Sequence, residues 1–173
     1  MNRSILIIVF IALGVLLSTF CISSGKEDSL KGAGNSTERL RNACDLMTKA
    51  EVEKISGVAI VNVVLRDRGT FTSCSFETDN WESTTGVIYY PGLKSVESSA
   101  ALAEEIRKDI ERDQAPFGIP EPVDGITDAA AYYASNDGYL HIIVAQKGGD
   151  RIIISAKSRT AATEMAKAAL TVI

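Results

Sequence analysis

The chain is poor in the side chains on which most metal sites and hydrolytic enzymes depend. Its 173 residues include one histidine, His141, and three cysteines. No Cys-x-x-Cys pair occurs, so the common zinc-ligand spacings are absent. No Gly-x-Ser-x-Gly turn is present to carry a nucleophilic serine beside a histidine base. We therefore predict no metal, no cofactor and no catalytic residue, and we expect His141 to be a surface or hydrogen-bonded residue of a strand.

Positive charge is also scarce. Lysine and arginine together number 18, against 22 aspartate and glutamate residues, which gives a formal net charge of −4 at pH 7. The basic residues form no cluster along the chain, whereas a nucleic-acid surface needs a dense basic patch. The composition therefore argues against nucleic acid as a partner.

The first 25 residues carry the pattern of an export signal. Arg3 precedes an unbroken apolar run over 5–17, and small polar residues follow at 23–25. Three alternatives remain open: a signal peptide cleaved near 23–25, an uncleaved membrane anchor over 5–22, and a lipoprotein signal in which Cys21 is lipidated. In each case we expect an extracytoplasmic protein, periplasmic or on the cell surface, that is either anchored to the membrane by its N-terminus or released.

Two cysteines, Cys44 and Cys74, remain in the exported part. A lone pair in a small domain in an oxidising compartment usually forms one bridge. Closing such a loop would stabilise the fold by roughly 3–4 kcal/mol. The alternative is a pair of buried free thiols.

Composition divides the exported part in two. Residues 26–42 are small, polar and rich in glycine and serine, which is typical of a flexible linker. The remaining residues, 43–173, are enough for one domain with its own core.

Hydrophobic periodicity predicts the order helix, three strands, helix, three strands, helix. A capping box at Thr48 and Glu51 begins the first helix, which ends at Gly57. The order indicates an α+β fold: an antiparallel sheet with helices on one face, built from two tandem αβββ units and a C-terminal helix. Apolar residues in both phases of the central strands leave open whether the second face is also covered or binds a partner. The predicted helices are 49–56, 96–112 and 160–170, and the predicted strands are 58–65, 70–77, 85–90, 129–134, 139–146 and 151–156.

Several short motifs resemble those of a bacterial family of exported proteins and lipoproteins of unknown function. The sequence Cys44-Asp45-Leu46-Met47-Thr48 is similar to the family's Cys-Asp-Leu-Leu-Thr start. The later sequence Gly125-Ile126-Thr127-Asp128-Ala129-Ala130 is similar to its Gly-Leu-Gly-Asp-x-Ala motif, with Thr127 in place of the second glycine. The resemblance implies an extracytoplasmic α+β domain with a disulfide between the two motif cysteines, Cys44 and Cys74, and it implies no particular activity.

Aromatic residues on the predicted strands are the best candidates for a binding surface. Neighbouring tyrosines on one strand point to opposite faces, so one of each pair lies away from a core on a single face. Exposed tyrosine and tryptophan suit contact with a peptide, a glycan or a lipid tail. The alternative is that these rings pack at a sheet edge or beneath the proline-rich loop 114–125. The candidate residues are Trp81, Tyr89, Tyr90, Phe117, Tyr132, Tyr133 and Tyr139.

The sequence therefore favours a non-catalytic extracytoplasmic domain that binds a protein, a peptide or a small molecule. A structural or assembly accessory of an envelope complex is the alternative. A hydrolase is a third reading, for which the sequence offers no catalytic set.

Overall fold

The computed structural model describes residues 42–80 and 84–173. The export segment 1–25, with Cys21, lies outside the described residues, as do Trp81 and all of the linker except Asn42. No helix within the described ranges is long and apolar enough to cross a bilayer. The helices are α1 (Lys49–Ser56), α2 (Ser99–Asp113) and α3 (Arg159–Leu170); the strands are β1 (Asn62–Asp67), β2 (Thr72–Glu77), β3 (Thr85–Tyr90), β4 (Glu121–Pro122), β5 (Ala129–Ala134), β6 (His141–Lys147) and β7 (Asp150–Ala156); and a 3-10 turn, Ala43–Asp45, precedes them.

The seven strands form one antiparallel sheet in the order β1-β2-β3-β7-β6-β5-β4. The strands β1 to β3 form one meander and β5 to β7 form another. The two meanders meet where β3 pairs with β7. The α+β class, the antiparallel sheet and the C-terminal helix are confirmed.

Local signals set the start and end of α1. The Thr48 hydroxyl oxygen accepts the Glu51 N–H at 3.3 Å, and the Glu51 carboxylate accepts the Thr48 N–H at 2.7 Å. These hydrogen bonds from Thr48 hold the pKa of Glu51 below its usual value. Gly57 ends the helix with a φ of 70°, a backbone conformation that glycine adopts without steric cost.

The strand after α1 begins later than the sequence predicts. The prediction was 58–65, whereas β1 begins at Asn62. The Glu53 carboxylate accepts the Ile60 N–H at 2.8 Å, so that backbone group is bonded to a side chain of α1 and not to another strand. Residues 58–60 therefore connect α1 to the sheet, and the chain makes its first bond to β2 at Val61, whose N–H donates to the Glu77 carbonyl at 2.8 Å.

The helices divide between the two faces of the sheet, where the sequence predicts all of them on one face. On the first face α1 and α3 cover a core that includes Val52, Phe76, Ile143 and Met165. On the second face α2 covers a separate core. The second core is formed by Leu102, Ala103, Ile106, Ala129, Ala131, Ile142 and Val144.

Strand alternation explains the second core. Successive side chains point to opposite faces, and β5 and β6 have small or apolar residues in both phases. Both faces of these strands can therefore exclude water, as in a buried sheet. The tandem αβββ order is a repeat along the chain only, because α1 and α2 lie on opposite faces.

A disulfide joins Cys44 to Cys74, with their Cα atoms 5.0 Å apart. It attaches the 3-10 turn to β2 on the first face, where Cys74 is 1% exposed. The Ala43 N–H donates to the Thr72 hydroxyl at 2.8 Å beside the bridge. The predicted pairing is confirmed, and a disulfide is consistent with an oxidising, extracytoplasmic environment.

Candidate functional site

The second face of the sheet is covered over only part of its width. Helix α2 packs on β4 and β5, and the other half of this face is carried by β1, β2, β3 and β7. The side chains there are half-buried, in contrast to the buried side chains of the first face. We call this surface the open face; its central residues are Val64, Ser73, Ser75, Gly86, Ile88, Tyr90, Ile153 and Ser155.

A shallow trough of small residues crosses the open face. Val64, Ser75, Gly86 and Ser155 lie opposite one another on four adjacent strands. A Cβ atom at Gly86 would lie 2.7 Å from the Ser155 Oγ, so glycine is the residue that fits at this crossing. Because adjacent strands are about 4.8 Å apart, the trough is roughly 15 Å long.

Apolar and aromatic residues form one wall of the trough. Ile88 and Ile153 lie opposite each other on β3 and β7, two residues along from Gly86 and Ser155 and on the same face. Beyond them the Tyr90 ring lies against the Phe71 ring, with centroids 5.0 Å apart. Burial raises the pKa of Tyr90, against the opposing effect of the Arg151 charge, so the phenol stays neutral at physiological pH.

A buried polar cluster lies at the end of this wall. The Arg151 side chain is 15% exposed, and its Nη1 donates to the Glu105 Oε1 at 2.8 Å. Its Nη2 donates to the Gln146 Oε1 at 3.1 Å, whereas its buried Nε has no hydrogen-bond partner. Gln146 is 1% exposed and donates to the Lys94 carbonyl at 2.8 Å.

The cluster opens into a cleft of about 450 Å³ beside the start of α2. Its lining is mixed, with Leu93 and Val96 among the apolar residues and Glu105 and Arg151 among the charged ones. Since Glu105 already neutralises Arg151, the cleft presents no unpaired charge from this pair.

Two of the predicted aromatic residues lie at the far end of α2. Phe117 packs edge-on against Tyr133 with ring centroids 5.4 Å apart, which attaches the proline-rich loop to the second face. Burial, with smaller contributions from Tyr90 and Asp109, raises the pKa of Tyr133 to about 12. Tyr90 and Tyr133 therefore belong to one face, with Tyr133 partly buried at the side of α2.

The other predicted aromatic residues lie elsewhere. Tyr89 is 4% exposed in the core of the first face, which corrects its assignment to a binding surface. Tyr132 is on the first face as well. Tyr139 is 66% exposed, just before β6. Because neighbouring strand residues alternate between faces, the six candidate aromatic residues that the structure describes do not form one surface.

His141 is hydrogen-bonded within the sheet. Its Nδ1 lies 2.7 Å from the Tyr132 hydroxyl, and the two rings stack at 6.0 Å. The Arg159 guanidinium lies 4.1 Å from the Tyr132 ring centroid and also pairs with Glu121 at 3.0 Å. Among the described residues there is no group of three or more histidine, cysteine, aspartate or glutamate side chains that could hold a metal ion.

The sequence reasoning did not single out the residues of the trough. Serine and glycine are common in loops and carry no strong signal by themselves. The alternation Thr72-Ser73-Cys74-Ser75-Phe76 was available, however, with a serine at every second position of a predicted strand. That pattern predicts a face without bulky side chains.

The chain matches no protein-family model, and it matches no curated protein.

Proposed function

We propose that this chain is an exported, non-catalytic binding domain whose open face contacts a partner protein. The observation that carries the proposal is the difference between the two faces of the sheet. Apart from the edge strand β1, the first face is packed beneath α1 and α3, whereas the trough and its apolar wall on the second face lie beside α2 without being buried by it.

The chemistry of the open face suits a neutral, elongated segment of a protein. Ser75 and Ser155 can donate and accept hydrogen bonds, while Ile88, Ile153 and Tyr90 offer apolar contact. A shallow trough on a sheet fits a protein surface better than a small molecule, because small molecules are usually enclosed in concave pockets.

Export supports the same proposal from the sequence. The N-terminal segment has the pattern of a signal or an anchor, and the Cys44–Cys74 disulfide suits an oxidising compartment. A domain held at the membrane, or released beside it, would meet its partner in the envelope. Membership of the exported family that the motifs resemble is part of this proposal.

Site-specific photocrosslinking tests the proposal. A benzophenone amino acid at Ile88, introduced into the full chain in its native host, should give a discrete protein adduct on illumination. The matched control is the same amino acid at Lys108 on α2, whose side chain is 68% exposed. The control should give no such adduct.

A second variant links the adduct to the trough. Ser75→Tyr places a large ring in the trough and should reduce the Ile88 adduct at least about tenfold, with the thermal unfolding temperature unchanged. Equal adducts at Ile88 and Lys108, or an adduct that Ser75→Tyr leaves unchanged, would contradict the proposal.

A further inference from the structure

The two edges of the sheet differ in how well they are protected from strand pairing. The edge strand β4 has two residues, and its second residue, Pro122, has no N–H to donate. The other edge strand, β1, has six residues without a proline. Short strands and prolines prevent edge-to-edge association, and a long apolar edge favours it. Of the two edges that the described residues form, β1 is therefore the one that is open to another strand.

The side chains of β1 continue the apolar layer of the first face to the edge of the sheet. Val63 lies opposite Phe76 and Leu65 lies opposite Cys74, and both of these partners are buried. Yet Val61, Val63 and Leu65 are 54%, 39% and 48% exposed. They are three of the six large apolar side chains that are exposed among the described residues. Within the described part of the chain, this row is therefore less covered than its neighbours on β2.

The backbone of β1 also has groups that point away from β2. The Val63 N–H donates to the side-chain oxygen of Asn62 at 3.0 Å and not to β2. In an antiparallel strand, alternate residues direct their N–H and C=O groups to the same side. Val63, Leu65 and Asp67 therefore present these groups to the free edge, where no other strand lies within the described residues.

The charges around β1 are arranged for pairing with a copy of itself. At the start of the strand the Glu53 carboxylate is bonded to the Ile60 N–H, and the Glu77 carboxylate accepts the Asn62 side-chain amide at 3.1 Å. Arg66 and Arg68 lie at its end, with Asp67 between them; strand alternation directs Asp67 to the face opposite Arg66, where its carboxylate accepts the Gly69 N–H at 2.8 Å. In an antiparallel pair of identical strands the start of each lies against the end of the other, so the basic end meets the acidic end twice. A parallel pair would place like charges together.

We propose that two copies of this chain associate through their β1 strands, antiparallel, about a two-fold axis at Val64. In this register Val63 lies opposite Leu65 of the second copy, so apolar side chains meet on the first face. Asn62 lies opposite Arg66 of the second copy, which places the backbone of this arginine about 10 Å from that of Glu77, with Asn62 between them on the same face. The interface is isologous and closed, and it joins the two sheets into one. Of the open-face residues it involves only Val64, and its tests leave Ser75 and Ile88 unchanged, so its failure and the failure of the proposed function can be told apart.

Cysteine crosslinking of the full chain in its native membrane or envelope fraction tests the register. Val64→Cys lies on the proposed axis and should give a covalent dimer on mild oxidation, well above the amount formed by the parent chain. The matched control is Ile119→Cys, at a residue that is 82% exposed and remote from β1 in the sheet order. Similar yields from Val64→Cys and Ile119→Cys, or no dimer from either, would overturn the proposal.

A charge exchange distinguishes a second copy from any other strand. Arg66→Glu with Arg68→Glu should weaken self-association at least about tenfold, and Glu77→Lys should do the same. Mixing the two variants should restore a dimer that contains one chain of each, as measured by the mass of differently tagged full chains in detergent solution. Matching thermal unfolding curves would show that each variant is folded.

Two results of these measurements on the parent chain and the charge variants would overturn the proposal. One is a monomeric parent chain at all concentrations, above all if its β1 amides are protected from hydrogen exchange, since another segment would then occupy the edge. The other is a dimer that both charge variants leave intact, since the chains would then associate through a different surface.

Discussion

Removing the disulfide should destabilise the domain by about 3.6 kcal/mol through the unfolded state alone. The chain-entropy relation gives this figure at 25 °C for a bridge between residues separated by 30 positions. The variant Cys44→Ala with Cys74→Ala removes the bridge. Because Cys74 is 1% exposed, the loss of its buried sulfur adds roughly 1 kcal/mol.

Urea denaturation at equilibrium measures this effect. The double variant should unfold at lower urea, and its m-value should rise, because the unfolded chain without the bridge exposes more surface. Reduction of the native chain by dithiothreitol is the matched control, since it opens the loop while both sulfur atoms remain. The reduced native chain should therefore be destabilised by about 3.6 kcal/mol, slightly less than the alanine variant.

The reasoning fails if the reduced chain loses less than about 1 kcal/mol. That result would mean that the unfolded chain keeps the two cysteine positions close together without a bond. The bridge would then join two cysteines that are already close together in the unfolded chain, and it would add little to the stability of the fold.

Three further predictions concern single side chains. Gly86→Ala should destabilise the domain by about 1 kcal/mol or less, because its Cβ would lie 2.7 Å from the Ser155 Oγ and that hydroxyl must rotate away; adding Ser155→Gly should restore much of the loss, and an additive double variant would contradict the contact. Tyr133 has a folded-state pKa raised from 10.0 to about 12, so the stability that its neutral phenol contributes should be complete below pH 10 and decline as the pH rises towards 12. Tyr133→Phe should flatten that decline in thermal unfolding measured against pH, and an unchanged slope would show that the phenol is not buried in solution. Thr48→Ala should cost about 1 kcal/mol in chemical denaturation through loss of the α1 cap, while Thr48→Ser should cost little; equal losses would contradict the capping role.

Features that depend on neighbouring residues were predictable from the sequence. The capping box at Thr48 and the glycine at 57 set the bounds of α1, and each acts on backbone groups within a few residues of itself. The strand 85–90 agrees with β3 because its β-branched run ends at a proline and a glycine. The disulfide was predictable because only two cysteines remained outside the export segment.

Features that depend on pairing between residues far apart in the chain were not predictable from the sequence. The sequence does not say which face α2 occupies, because that depends on how β5 and β6 return beside β3 and β7. The strand β1 begins later than predicted because of a single side chain: the Glu53 carboxylate on α1 accepts the Ile60 N–H. The trough was missed because aromatic residues stand out in a sequence, and serine and glycine do not. Tyr89, the clearest example, fills the first core while its neighbour Tyr90 borders the trough.

The position of the disulfide in the chain has a consequence for the order of assembly. Cys44 lies in the 3-10 turn and Cys74 in β2, so both precede β5, β6 and β7 in the chain and the bridge can close before those strands are in place. The later strands must then dock on β3, which has no strand on its second side until β7 arrives. A chain that closes the bridge first would therefore have one half closed by a covalent bond and one half held by hydrogen bonds and packing alone. Until β7 pairs with β3, the free side of β3, and not that of β1, is the edge at which the incomplete domain pairs most readily with a wrong strand.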